Sequence, residues 1–159
     1  TDQMEEELSR FLAESLKDGV TEKTRRNVPS MIRIINVLES IGDSIFNLVI
    51  LTQRRYDKKI EFTQEAVDSF APYCEEVRSF LTFLEDHLVT HLSEEDMKKA
   101  FSMEEKINNF RNTLKKATQK RLQEGSNVRG ELLFFDMIRQ MEKVGDYAFN
   151  VSQALAQVK

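Results

Sequence analysis

The sequence predicts an all-α protein, and three of its features support that prediction. Glycine and proline are scarce, with 5 and 2 residues among 159, and 31% of the residues are charged. Apolar residues recur at the i, i+3, i+4 and i+7 spacing of amphipathic helices through five segments. Short connections join these segments, so neighbouring helices should run antiparallel in one elongated up-and-down bundle.

The first two helices are predicted over residues 2–18 and from after Asn27 and Pro29 to about Tyr56. Asp18-Gly19 favours a helix end, and Pro29 fits a first helical turn, where its missing N–H costs nothing. We expect the core stripe of the second helix to consist of five residues at helical spacing: Ile34, Leu38, Ile41, Ile45 and Leu48.

The remaining three helices follow recognisable start and stop signals. Thr63 is predicted to cap a third helix that runs to about His91, with Pro72 either kinking it or marking its true start. Ser93 should cap a fourth helix to about Glu124. Gly125-Ser126-Asn127 then separates it from a last helix over residues 128–158.

Charge and cysteine content narrow the function classes. The net charge is −4, and the basic residues are scattered doublets, so we expect no nucleic-acid partner. The single cysteine, Cys74, suits a reducing compartment such as the cytoplasm. No apolar run approaches the ~18 residues that span a bilayer, so a soluble chain is expected. Because the chain starts at Thr1 within a helical pattern, we also expect a fragment of a longer protein.

An internal repeat is the most informative feature. Glu39-Ser-Ile-Gly-Asp43 returns 103 positions later as Glu142-Lys-Val-Gly-Asp146. The same offset aligns further residues of helices 1 and 2 with residues of helices 4 and 5: Met4 with Ile107, Ile35 with Ile138, Leu38 with Met141, Ile41 with Val144, Phe46 with Phe149, and Asn47 with Asn150. Helix 3 has no counterpart. We therefore expect one domain over 1–159, with an incomplete first repeat over 1–60 and a second repeat over 61–159.

Each copy of the motif forms a ladder of oxygen ligands on one helix. At ~100° per residue, Glu39, Asp43 and Asn47 lie within roughly 80° of one another. Glu142, Asp146 and Asn150 do the same. Such acids could hold hard cations, either divalent ions or iron, while the glycine clears space beside the ligands or under a crossing helix. The competing interpretation is a solvated outer face, because the ladder points about 180° away from the core stripe.

Other candidate sites are weaker. His87 and His91 have an i, i+4 spacing that can hold zinc, but no third ligand follows at a diagnostic distance, and interaction with the helix dipole explains them better. The sequence contains no phosphate loop and no nucleophile with its base, so we expect no enzyme. A metal-dependent hydrolase that uses the acidic ladders is the alternative from a different class.

At these residues the chain resembles the PhoU family, regulators of phosphate uptake built from two three-helix repeats whose outer acidic motifs gather metal ions. The resemblance implies metal ligands at Glu39, Asp43, Glu142 and Asp146. The family's other two motifs are incomplete here: Glu104 is followed by Asn108 on helix 4, and Thr1 by Glu5 on helix 1. Three more residues are weaker candidate ligands: Asn47, Asn150 and Glu105.

The resemblance is closest to the cytosolic C-terminal PhoU-like portion of bacterial sodium/phosphate cotransporters. It implies a cytoplasmic domain at the inner face of the bacterial membrane that regulates phosphate uptake by contact with the transporter's membrane domain. A free-standing PhoU-type regulator of a phosphate uptake system and its sensor kinase is the alternative. A missing first helix would expose an apolar groove that a second copy could fill. Phe46 and Phe149 either anchor a partner or cover a neighbouring helix.

Overall fold

The computed structural model describes residues 2–16 and 21–158, and every regular element in them is an α-helix. The five helices are α1 (Asp2–Ser15), α2 (Glu22–Asp57), α3 (Gln64–His87), α4 (Glu94–Gln123) and α5 (Val128–Leu155). The all-α prediction, with five helices in a bundle, is confirmed for this part of the chain.

Three predicted turn residues begin or end helices. The Thr63 hydroxyl accepts a hydrogen bond from the Ala66 amide at 3.2 Å and starts α3. Ser93 and Asp96 form a reciprocal capping box at the start of α4. Gly125 ends that helix with a φ of +89°, a left-handed conformation that glycine adopts without strain.

Two predicted boundaries were wrong. Thr21 caps α2 by accepting a hydrogen bond from the Thr24 amide at 3.3 Å, so the helix starts earlier and Pro29 lies inside it. The helix α3 starts after Thr63 as predicted and runs through Pro72, but it ends at His87 and not at the predicted His91. In both helices a threonine cap about two turns before the proline starts the helix, and the helix then continues through the proline despite its missing N–H. The predicted stop at Asp18-Gly19 lies outside the described residues.

The centre of the bundle is α5, on which α2, α3 and α4 all pack. It runs antiparallel to α2, because Leu51 near the end of α2 and Ile60 just after that helix cluster with Leu133 near the start of α5. The helix α3 also packs on α4, whereas α1 contacts α2 and no other described helix. The largest core cluster therefore lies among α3, α4 and α5, and α2 adds to it from one side.

The helix α2 has two apolar faces, of which one is covered. Ile34 and Ile41 are buried, as predicted for the core stripe. Leu38 and Ile45, predicted for the same stripe, are 38% and 43% exposed, so that part of the prediction was wrong. Two described helices pack on α2: α5, which contacts it most extensively, and α1, which covers Leu38 and its surroundings only in part.

The same helix has membrane-spanning character by length and composition. An 18-residue stretch of α2 reaches a mean hydropathy of 1.6, and 17% of it is buried in the fold. This differs from the expectation that no segment would approach a membrane span. Because α2 packs on α5 and carries Glu39 and Asp43 near its middle, we interpret its apolar character as a packing surface with two faces.

A buried ion pair joins α4 to α5 beside the turn between them. The Nε and Nη2 atoms of Arg121 each donate to the Glu131 carboxylate at 2.9 Å. The Ser126 hydroxyl donates to the same carboxylate at 3.0 Å, and the Thr118 hydroxyl accepts from Arg121 at 3.3 Å. Both charged side chains are almost fully buried, so this network fixes the relative position of the two helices.

Candidate functional site

The first acidic ladder is completed by a residue of α1. Ligand oxygens of Asp2, Glu39 and Asp43 all lie within 4.8 Å of one another. Asp2 and Asp43 are exposed, and Glu39 is half-buried. Within residues 2–16 and 21–158, this is the one group of three or more His, Cys, Asp or Glu side chains that comes so close together. Sequence reasoning identified Glu39 and Asp43 and missed Asp2.

The crowding of like charges perturbs this cluster. Desolvation raises the pKa of Glu39, and the charge of Asp43 and a hydrogen bond with its carboxyl raise it further. Asp2 and Glu5 act in the same direction. A bound cation would relieve the repulsion, and hard cations prefer carboxylate oxygens. The residues present therefore fit a cation, whose positive charge would neutralise the group.

In the second acidic ladder, basic side chains of the protein already neutralise Glu142. Glu142 forms ion pairs with Arg111 and, at 3.4 Å, with Lys115, both from α4. Asp146, one turn along, is exposed. Partial desolvation by the packed helices raises the pKa of the Asp146 carboxyl, and the charge of Arg111 opposes that rise. Because two basic side chains hold the Glu142 carboxylate, a cation at this ladder would have to displace them.

The two ladders differ because of residues outside the motif. At the 103-residue offset, Leu8 and Leu12 stand where the second repeat has Arg111 and Lys115. Apolar side chains on α1 cannot neutralise Glu39, whereas their basic counterparts on α4 pair with Glu142. Asp2 occupies the position of Glu105, so the offset that revealed the repeat could also have identified Asp2.

The glycine of the second motif has a packing role. A Cβ atom on Gly145 would lie 2.9 Å from Cγ2 of Ile107, which is 1% exposed. Glycine therefore lets α4 approach α5 closely at this point. Of the two roles predicted for it, clearance under a crossing helix is the one seen in the second repeat.

The remaining candidate ligands are dispersed. On α4, Asn108 donates to Glu104, and Glu105 is exposed. On α1, Glu5 accepts from the Ser9 hydroxyl at 3.5 Å and lies outside the three-carboxylate group. Thr1 lies outside the described residues. Asn47 is exposed and Asn150 is half-buried.

The two histidines bind the backbone separately. His87 Nδ1 lies 2.7 Å from the carbonyl oxygen of Phe83, one turn earlier in α3. Its Nε2 lies 3.6 Å from Asp96, at the start of α4. His91 Nδ1 lies 2.8 Å from the carbonyl oxygen of Val158, at the other end of the described chain. These contacts tie the α3–α4 connection to its surroundings, and the pair does not converge on a shared site.

The two motif phenylalanines also differ. Phe149 is half-buried and packs edge to face on Phe101 of α4, with ring centroids 6.1 Å apart. Phe46 is 63% exposed and lies on α2 beside the cluster of Asp2, Glu39 and Asp43. Phe149 thus covers a neighbouring helix, whereas Phe46 is available to a partner.

Comparison with known proteins agrees with this architecture. The PhoU domain family matches residues 74–155, which are 82 of the 159 residues and include α4, α5 and most of α3. Searches of curated proteins and of solved structures returned no match. PhoU domains are regulatory helical domains, so the match indicates a regulatory role in phosphate homeostasis. The match spans more than half of the chain, and the chain therefore belongs to the PhoU domain family.

Proposed function

We propose that the chain is the cytosolic regulatory domain of a bacterial sodium-dependent phosphate cotransporter. It would lie at the inner face of the cell membrane and control phosphate uptake by binding the membrane domain of the transporter. The observation that carries this proposal is the PhoU domain at residues 74–155. The cotransporter context comes from the sequence resemblance to domains of that kind.

The surface that would act on the partner is the part of the first repeat around Asp43 and Phe46, which we call the acidic edge. Its Glu39 and Asp43 form no ion pair with a basic side chain among the described residues, and Phe46 is exposed. Exposed aromatic side chains are frequent anchors in protein interfaces. The acidic side chains and the exposed Phe46 lie side by side on one repeat, which favours a binding surface.

A cation at Asp2, Glu39 and Asp43 would supply positive charge and open coordination positions to this surface. Such an ion could bridge the acidic edge to phosphate or to acidic groups of the partner. The residues themselves would only hold and orient the ion. This use of the cluster is regulatory, in contrast to hydrolysis, which needs an activated water and general acid-base groups around the metal.

Phosphate uptake in cells tests the proposal. The double substitution Asp43→Asn with Phe46→Ala would be introduced into the chromosomal gene, with Asp57→Asn and Leu132→Ala as the control. Asp57 and Leu132 are exposed like the residues that they match but lie away from the acidic edge. We expect sodium-dependent phosphate uptake to lose its response to external phosphate in the first strain and to keep it in the control.

The other results of this experiment discriminate the alternatives. A change confined to sodium-independent uptake and to the phosphate-starvation response would identify a free-standing regulator of another uptake system and its sensor kinase. Unchanged uptake in both strains would contradict the regulatory proposal altogether. Metal-dependent release of phosphate from a phosphate ester by the purified chain, lost on Asp43→Asn, would favour the hydrolase.

A further inference from the structure

Positive charge is concentrated on the hairpin that α4 and α5 form. Residues 111–143 contain eight basic and four acidic residues, a net charge of +4, whereas the whole chain carries −4. Two of these four acids, Glu131 and Glu142, already form ion pairs with side chains of α4. This hairpin is therefore basic on a chain that is acidic as a whole.

Three of these basic side chains converge around the second acidic ladder, and we call them the basic cluster: Arg111, Lys115 and Arg139. Lys115 Nζ of α4 lies 5.5 Å from the centre of the Phe135 ring and 3.4 Å from the Glu142 carboxylate, both on α5. Arg139 stands between Phe135 and Glu142 at the i, i+4, i+7 spacing of one helix face, so it lies next to Lys115. Arg111 reaches the same Glu142 carboxylate from one turn earlier in α4.

The basic cluster carries more positive charge than Glu142 neutralises. The side chains of Arg111, Lys115 and Glu142 are 22%, 31% and 15% exposed, so they are partly withdrawn from solvent. Arg139 is exposed and forms no ion pair in the part of the chain that the structure describes. Desolvation lowers the pKa of the Lys115 ammonium, and the charges of Arg111 and Arg139 lower it further. Asp146, one turn along α5 from Glu142, also interacts with Arg111.

None of the three basic residues has a charged counterpart in the first repeat. At the 103-residue offset, Leu8, Leu12 and Asn36 stand in place of Arg111, Lys115 and Arg139. One basic side chain would suffice to neutralise the single carboxylate of Glu142. The second repeat has three, so neutralisation of Glu142 does not account for the whole cluster.

We propose that the basic cluster binds a phosphate group. Arginine and lysine are the usual phosphate-binding side chains, and the planar guanidinium of arginine can donate two parallel hydrogen bonds to it. A phosphate group carries about −1.5 to −2 charges at pH 7, which complements three cations that share one carboxylate. Partial burial also reduces the screening of these charges by salt. This inference does not depend on the proposed function.

Calorimetric titration of the purified chain with inorganic phosphate tests the proposal. The chain is first treated with a chelator, so that no cation can bridge phosphate to a carboxylate. We expect saturable binding of one phosphate per chain at millimolar concentration, weakened by added salt. Arg139→Gln should raise the dissociation constant at least about tenfold, because it removes a charge-assisted hydrogen bond.

Arg129→Gln is the matched control. Arg129 is also exposed on α5 and forms no ion pair among the described residues, but it lies ten residues, or about 15 Å, from Arg139 along the helix. The control should bind phosphate like the wild type. Circular dichroism of both variants should equal that of the wild type, because both replaced side chains are exposed.

Vesicles distinguish the two sources of a phosphate group. Phosphatidic acid in a phosphatidylcholine vesicle presents the same group on a lipid headgroup. If the chain sediments with these vesicles but binds no inorganic phosphate, and Arg139→Gln but not Arg129→Gln releases it, the lipid is the source. Either pattern supports the basic cluster as a phosphate site.

Three results would overturn the proposal. The first is that the wild-type chain binds neither inorganic phosphate nor the vesicles. The second is that Arg129→Gln weakens binding as much as Arg139→Gln, because binding would then be unspecific attraction to positive charge. The third is that phosphate binds only after a divalent cation is added, because a metal on the carboxylates would then form the site.

Discussion

Replacement of Glu131 by glutamine should destabilise the protein strongly. Glu131 and Arg121 are 3% and 5% exposed, and the carboxylate accepts two hydrogen bonds from the guanidinium at 2.9 Å. Glutamine keeps the size of the side chain and removes its charge, so it leaves a buried arginine without compensation. Breaking a buried ion pair in this way costs about 3–5 kcal/mol. The loss is a large fraction of the ~5–15 kcal/mol that stabilises a typical domain.

The surroundings of Arg121 offer little relief. The nearest other acid is Glu65, at 3.9 Å from Nη1, and its side chain is 72% exposed. An exposed carboxylate at that distance contributes at most about 1 kcal/mol. The Nη1 atom itself is buried and already has no hydrogen-bond partner. We therefore expect no large discount from the range of about 3–5 kcal/mol that breaking a buried ion pair costs.

Urea denaturation measures this loss. Glu124→Gln is the matched control, because Glu124 lies 3.7 Å from Lys120 in an exposed pair and its replacement should cost no more than about 0.5 kcal/mol. The combined change of Arg121→Met with Glu131→Leu should recover most of the stability, since it removes both charges. A Glu131→Gln variant no less stable than the Glu124→Gln variant would refute the reasoning.

Three further predictions follow from the site. Arg111→Leu with Lys115→Leu should free Glu142 and let it bind a cation together with Asp146, so that calorimetry finds one more ion per chain than in the wild type. Gly145→Ala should lower the midpoint of thermal unfolding, because overpacking costs about 1–3 kcal/mol and the gain in helix propensity only about 1 kcal/mol; a raised midpoint would contradict the close approach of Ile107. Cation affinity at the first ladder should rise as the pH rises through the pKa of Glu39, because a cation must displace the proton of the Glu39 carboxyl. This pKa is higher in the folded protein than in the unfolded chain. Equal affinities at a pH below and a pH above this pKa would exclude Glu39 as a ligand.

The helices could be predicted from the sequence because their signals are local. Thr63 and Ser93 cap the turns that follow them, and Gly125 ends the helix before it, so a few neighbouring residues decide each boundary. The start of α2 was misplaced because proline favours a first helical turn, whereas Pro29 lies about two turns into the helix. The cap at Thr21 decided between them.

The motif alone could not predict that basic side chains pair with the glutamate of the second ladder and not with that of the first. Glu39 and Glu142 have the same local sequence pattern, and what separates them is the neighbouring helix. Arg111 and Lys115 reach Glu142 from 31 and 27 positions away in the sequence, so only packing of α4 on α5 brings them together. The buried ion pair of Arg121 and Glu131 was not predicted from the sequence, because it has no counterpart in the first repeat.

The two repeats differ in their acidic ladders: Arg111 and Lys115 pair with Glu142 in the second, whereas we propose that Glu39 and Asp43 of the first bind a cation. Titration of the purified, chelator-treated chain with Mn²⁺, monitored by calorimetry, tests this difference. We expect Asp43→Asn to abolish the binding and Asp146→Asn to preserve it. Equal loss of binding in the two variants, or loss in Asp146→Asn alone, would contradict it.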